Sequence, residues 1–177
     1  MKISINDLPK WPSPSPEKKI LKDVFDRADW IAFLNSLSTP LSVTDDLKEA
    51  FHLIWIEKGH FIRNQLNDDT QLLLLLKFLL PTYTGTGRIV YRGENLARFE
   101  AREVGFSWTT EKDEATNFAS GLNSYKYGGI LLEAYAPPQA ILAGVHPHSI
   151  YLGEYEITVD ASMLKGIKEI KRFNPSH

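Results

Sequence analysis

The sequence predicts an α+β fold in which helices come first and a mainly antiparallel, strand-rich core follows. Apolar residues recur at three- and four-residue steps through the first 80 positions. The character changes after "PTYTGTG" at 81–87, and from there short β-branched and aromatic runs alternate with Gly, Pro and Asn. The chain therefore divides into an N-terminal helical region, residues 1–80, and a second region, residues 81–177.

Residues 9–16, "PKWPSPSP", interleave proline with small residues, which removes amide donors and favours an extended lead-in or surface strap. From Glu17 to Leu37, Ile20, Leu21, Val24, Phe25, Ala28, Ile31, Ala32 and Leu34 mark the stripe of an amphipathic helix that Thr39-Pro40 ends. Thr44-Asp45-Asp46 starts a second helix through "LKEAFHLIWIEKGHFIRNQL", with Leu47, Ala50, Phe51, Ile54 and Trp55 on its apolar face and Gly59 as a point of interruption. A third runs from Asp69 to Leu80 and closes at Pro81. Strands are expected in "RIVYRG", "GFSWTT", "GGILLEAYA", "AILAGV" and "GEYEITVD", with one short helix, Glu111 to Ser120, after the second. The tail "SMLKGIKEIKRF" reads as a turn and a last strand, and no repeat of solenoid period is present.

Composition narrows the function classes. At 43% apolar and 24% charged residues the chain is ordinary for a soluble globular protein. Its 20 basic and 22 acidic side chains divide evenly between the two regions, so there is no basic arm and nucleic acid is not indicated as a partner. The absence of cysteine rules out a disulfide framework, thiolate catalysis and cysteine-ligated zinc. The opening "MKISINDLPKWPSPSPEKK" lacks the apolar core of a secretory signal, and Leu72 to Leu80, "LLLLLKFLL", is about half a membrane span. A cytoplasmic protein without a membrane partner is expected.

Several motifs carry little chemistry. His146-Pro-His148 has no nearby carboxylate cluster in sequence and reads as a loop, so no metal is assigned. "TGTGR" at Thr84 to Arg88 lacks the Gly-Lys-Ser ending of a phosphate loop and precedes a strand, which makes it a connector. No Gly-x-Ser-x-Gly is present for a serine hydrolase. Glu154 and Glu156 are two apart on an expected strand and so should share one face, where two carboxylates repel unless solvated or bridged. With 12 glutamates in the chain, such a pair is also expected by chance. Arg92 ends an apolar strand and precedes Gly93, which suits close approach of a phosphate or of another backbone, or a surface ion pair.

Order gives these residues more meaning together. Arg92, then Ser107-Trp108-Thr109 ahead of a helix, then Glu154 and Glu156 on a late strand resembles the arginine, serine, glutamate signature of toxin-like ADP-ribosyltransferases. The likeness covers about residues 88–170 and leaves out the N-terminal helices. It implies a β-sandwich-like NAD-binding catalytic core in residues 81–177, with NAD consumed as a substrate and no metal. By the same resemblance, Arg92 and Gly93 would hold NAD phosphate, Ser107 would support the nicotinamide ribose, and Glu156 would be the catalytic glutamate with Glu154 directing the acceptor. Trp108 and Thr109 depart from the family's Ser-Thr-Ser, keeping the strand's backbone role but changing the third-position hydroxyl. Phe118 is either an aromatic stacking near nicotinamide or a core residue of the short helix. The implied activity is mono-ADP-ribosyl transfer to a macromolecular acceptor, a protein with arginine as the suggested target, by a toxin or effector acting in the cytosol of a target cell. The alternatives are an NAD glycohydrolase and a catalytically silent protein-binding module of the same fold. The lack of Gly-x-Gly-x-x-Gly agrees with the absence of redox chemistry on NAD.

Overall fold

The computed structural model describes residues 14–37 and 43–176. The elements run in the order α1 (Pro16–Arg27), α2 (Trp30–Ser36), α3 (Asp45–Leu66), α4 (Asp69–Leu79), β1 (Arg88–Asn95), α5 (Leu96–Glu100), β2 (Ser107–Thr109), α6 (Lys112–Ser120), β3 (Gly129–Ala136), β4 (Ile141–Ala143), α7 (Pro147–Leu152), β5 (Glu156–Val159) and β6 (Lys165–Phe173). Most of the proline-rich lead-in, and the Thr39-Pro40 stop, lie outside the described residues.

Local capping sets the helix limits. Ser15 accepts from the Lys18 N–H at the start of α1, Thr44 from Leu47 at the start of α3, and Asp68 from Thr70 and Gln71 at the start of α4. The single helix expected over 17–37 is two, because Ala28 adopts a left-handed φ of 57° and its N–H turns back to the Phe25 and Val24 carbonyls. The break aims Trp30 inward, where its buried indole donates to Gln65 Oε1 at 2.7 Å. Gly59 does not interrupt α3. It sits under the Trp55 indole, whose Cε3 would lie 3.0 Å from a Cβ there.

Trp30, Phe51, Trp55, Ile62 and the α4 leucines Leu72, Leu75, Leu76 and Leu79 form a helical core that also takes in Phe106 and Ala143 from the second region. The Trp55 Nε1–H donates to the buried Thr158 hydroxyl at 2.9 Å, so the helices are bonded to the sheet as well as packed on it. The boundary near residue 80 marks a change of secondary structure across which the core continues.

The six strands form one antiparallel sheet in the order β4-β5-β2-β1-β3-β6, and the two stacked sheets implied by a sandwich-like core are not seen among the described residues. Alternation sends Val90, Trp108, Ile130, Leu132, Ile157 and Val159 into a second apolar cluster. On the other face lies α6, whose Ala115 and Ala119 pack with Leu131 and Tyr91. Its backbone comes so close that a Cβ on Gly93 would lie 2.3 Å from the Ala115 carbonyl oxygen, and one on Gly129 1.7 Å from that of Ala119. The glycine after Arg92 thus admits another backbone, one of the two uses its position allows. No helix among the described residues is long and apolar enough to cross a membrane.

Candidate functional site

A cleft of about 470 Å³ opens beside α6 and is lined by all eight candidates: Arg92 and Gly93 on β1, Ser107, Trp108 and Thr109 on β2, Phe118 on α6, and Glu154 and Glu156 at the entry to β5. Pairing explains the convergence. β2 lies between β1 and β5, with Thr109 opposite Tyr91 on one side and Glu156 on the other. Residues 64 positions apart in the chain, Arg92 and Glu156, therefore lie two strands apart.

Beyond the single Tyr91–Thr109 register pair the β1–β2 ladder ends, and Arg92 bridges the gap by donating from Nη1 to the Ser107 main-chain carbonyl. Its Nε donates to Glu94 Oε2 at 2.7 Å, and its Nη2 lies over Gly105, where a Cβ would come within 2.2 Å. Burial alone would raise the Glu94 carboxyl. The Arg92 charge and hydrogen bond, with the N–H groups of Gly105 and Asn95, outweigh burial and hold it below the ordinary 4.5. Arg92 is thus engaged within the protein, with only 15% of its side chain exposed.

Glu154 does not share the strand with Glu156. α7 ends at Gly153 in a left-handed cap, Glu154 N–H returns to the Ser149 carbonyl, and Tyr155 has a left-handed φ of 47°, so β5 begins only at Glu156. Alternation cannot act through a residue with positive φ, and the expected same-face argument fails there. Thr109 anchors the turn: its hydroxyl donates to the Glu154 carbonyl at 2.6 Å and accepts from the Glu111 N–H at 3.0 Å, joining the glutamate turn to the start of α6.

Glu156 Oε1 is closed to solvent and has no hydrogen-bond partner among the described residues. Burial raises its carboxyl from 4.5 to about 8; Glu154 adds to the rise, and the Ser107 hydroxyl and Arg92 oppose it. Glu154 is also raised, by burial and by Glu114, with His148 opposing. Such a carboxyl in a cleft is a recognised mark of functional chemistry.

The remaining candidates divide by side chain. Phe118 is half-buried at the cleft wall, whereas the Trp108 indole is 2% exposed in the core and donates to the Gly105 carbonyl at 3.0 Å. Trp108 therefore meets the cleft only at its edge. Glu94, Arg98 and Asn123, none of them a candidate from the sequence, also line the cleft, and His60 reaches it from α3. Glu94 had a legible signal, being two residues from Arg92 on the same strand face. Arg98 had none.

His146 and His148 serve α7. The His146 Nδ1 accepts the His148 N–H at 3.0 Å, which leaves its Nε2–H to donate to Glu49 at 2.9 Å, while His148 faces Glu57 at 3.5 Å. Glu49, His52 and His146 bring possible ligand atoms within 4.8 Å of one another. Both ring nitrogens of His146 are already used, so a cation there would have to displace the cap of α7 or the bond to Glu49. Comparison of the chain with protein-family models, curated proteins and solved structures finds no significant match.

Proposed function

We propose that the protein is a mono-ADP-ribosyltransferase that moves ADP-ribose from NAD to a protein side chain, with arginine as the acceptor best suited to Glu154. One observation carries the reading: Arg92, Ser107 and Glu156, drawn from three distant segments, line a single cleft in which the Glu156 Oε1 is closed to solvent and has no hydrogen-bond partner among the described residues.

The chemistry follows from charge. The bond from ribose C1′ to the nicotinamide nitrogen breaks with its electron pair going to nicotinamide, which leaves neutral, and the ribose gains oxocarbenium character. A carboxylate beside C1′ stabilises that charge more than it stabilises the ground state. Burial keeps Glu156 protonated near neutral pH, and the cationic nicotinamide ribose provides the opposite charge that favours loss of the proton as substrate binds. An acceptor nitrogen then bonds to C1′ and passes its proton to Glu154, whose raised affinity for a proton suits a general base.

Incubation with labelled NAD and a cell lysate tests this directly. Label on a lysate protein supports transfer, release of free ADP-ribose alone supports the glycohydrolase, and intact NAD refutes both in favour of a binding module. Glu156→Gln should lower turnover by about 10²- to 10³-fold, the scale for losing one electrostatic stabiliser of the transition state. Full turnover in that variant would remove Glu156 from the mechanism.

A further inference from the structure

We propose that Arg98, on α5, supplies the anion grip of this cleft, taking a phosphate or pyrophosphate group of the ligand, while Arg92 serves to position the split between β1 and β2. The inference rests on the NAD reading only for the identity of the ligand.

Arg92 and Arg98 lie on either side of one carboxylate, Glu94. Arg92 takes its Oε2 at 2.7 Å together with the Gly105 N–H, and the Asn95 N–H takes Oε1 at 2.9 Å. Arg98 Nε is left 3.9 Å from Oε1, within reach of its charge but outside hydrogen-bond range. That Nε is closed to solvent and has no partner, and the Arg98 side chain donates no hydrogen bond among the described residues. Arg92 donates a hydrogen bond to Glu94, and Arg98 is left with only a longer-range charge contact to the same carboxylate.

The solvent-closed Nε cannot take a ligand from the cleft, but the Arg98 guanidinium as a whole makes no hydrogen bond among the described residues, and it needs an acceptor with two oxygens to use its fork. A phosphate offers such an acceptor to the open part of the Arg98 side chain, which lines the cleft. Exposure separates the two arginines in the same direction: 37% of the Arg98 side chain is open against 15% for Arg92. α5 is held in place for the task. Asn95 caps it through the Ala97 N–H, and the Asn95 amide is fixed by the Asn123 and Tyr125 carbonyls.

Calorimetric titration of the full chain with NAD, with inorganic pyrophosphate and with phosphate-free nicotinamide riboside tests the assignment. Arg98→Gln should weaken NAD and pyrophosphate by about 10- to 100-fold, the usual consequence of losing a charge-assisted hydrogen bond. Riboside binding should not change, and Arg98→Lys should recover part of the loss. A wild-type chain that binds pyrophosphate through Arg98 but not NAD would overturn the NAD reading and keep the anion site. Equal NAD and pyrophosphate affinities in wild type and Arg98→Gln, or no binding of either anion by the wild type, would overturn the assignment of Arg98. A thermal melt of each variant separates lost binding from lost folding.

Discussion

Glu156→Gln should stabilise the protein at neutral pH while lowering the proposed transferase activity. In the folded chain the Glu156 carboxyl titrates at about 8 because it is buried, whereas in the unfolded chain it titrates near 4.5. Between these values the unfolded state releases a proton that the folded state retains, so stability is full below about pH 4.5 and falls as pH rises. At about 1.4 kcal/mol per pH unit the loss reaches about 3 kcal/mol at pH 7, and it levels off once the folded carboxyl also ionises near pH 8. Glutamine has nearly the same shape and no such titration. The variant and wild type should therefore unfold alike at pH 4, and at pH 7 the variant should melt about 6–12 °C higher, given about 2–4 °C per kcal/mol in a domain of this size. Thermal or urea denaturation at half-unit steps from pH 4 to 9 measures the difference. A gap between variant and wild type that is constant across this range, or a variant less stable at pH 8 than at pH 4 relative to wild type, would refute the burial argument for Glu156.

Two further expectations concern the frame of the cleft. Glu94→Gln leaves the Arg92 guanidinium without its buried counter-charge and should cost about 3–5 kcal/mol, read as a lower urea midpoint with an unchanged slope. Its lowered titration also predicts that the part of wild-type stability due to this pair is present above the ordinary carboxylate range and is lost as pH falls, a component absent in the variant. Gly93→Ala places a methyl group 2.3 Å from the Ala115 carbonyl oxygen and 2.4 Å from the Ala119 nitrogen, so α6 must move away from β1. About 1–3 kcal/mol of stability should be lost, and amide exchange in α6 should accelerate; unchanged protection of α6 would show that the close approach does not hold it.

Much of the architecture was readable residue by residue, because its causes are local. Thr44 and Asp68 announce α3 and α4 through side chains that reach amides two or three positions away, and Pro81 ends the helical run regardless of what surrounds it. The five expected strands and the helix from about 111 to 120 follow from β-branched runs between breakers, and each is found within a few residues. The failures share another cause. Ala28 and Tyr155 adopt left-handed backbone that neither residue favours by itself, and packing of the turns around them decides it. At the first, one helix becomes two; at the second, Glu154 moves from a strand into a turn. α5 and α7 are too short for periodicity to reveal.

What the linear order of residues determined by itself is the succession of helices and strands, the order of Arg92, Ser107 and Glu156 along the chain, and the lack of any thiol, since these depend on side-chain identity and neighbours close in the chain. Only the tertiary structure decided that β2 lies between β1 and β5, that Arg92 is hydrogen-bonded to Glu94 while Arg98 keeps only a charge contact with it, and that the Glu156 carboxyl is shielded enough to be pushed up to about 8. The physical reason is that charge, burial and hydrogen-bond supply at a cleft are sums over groups distant in sequence. Strand pairing and core packing must bring those groups together before any of these quantities has a value.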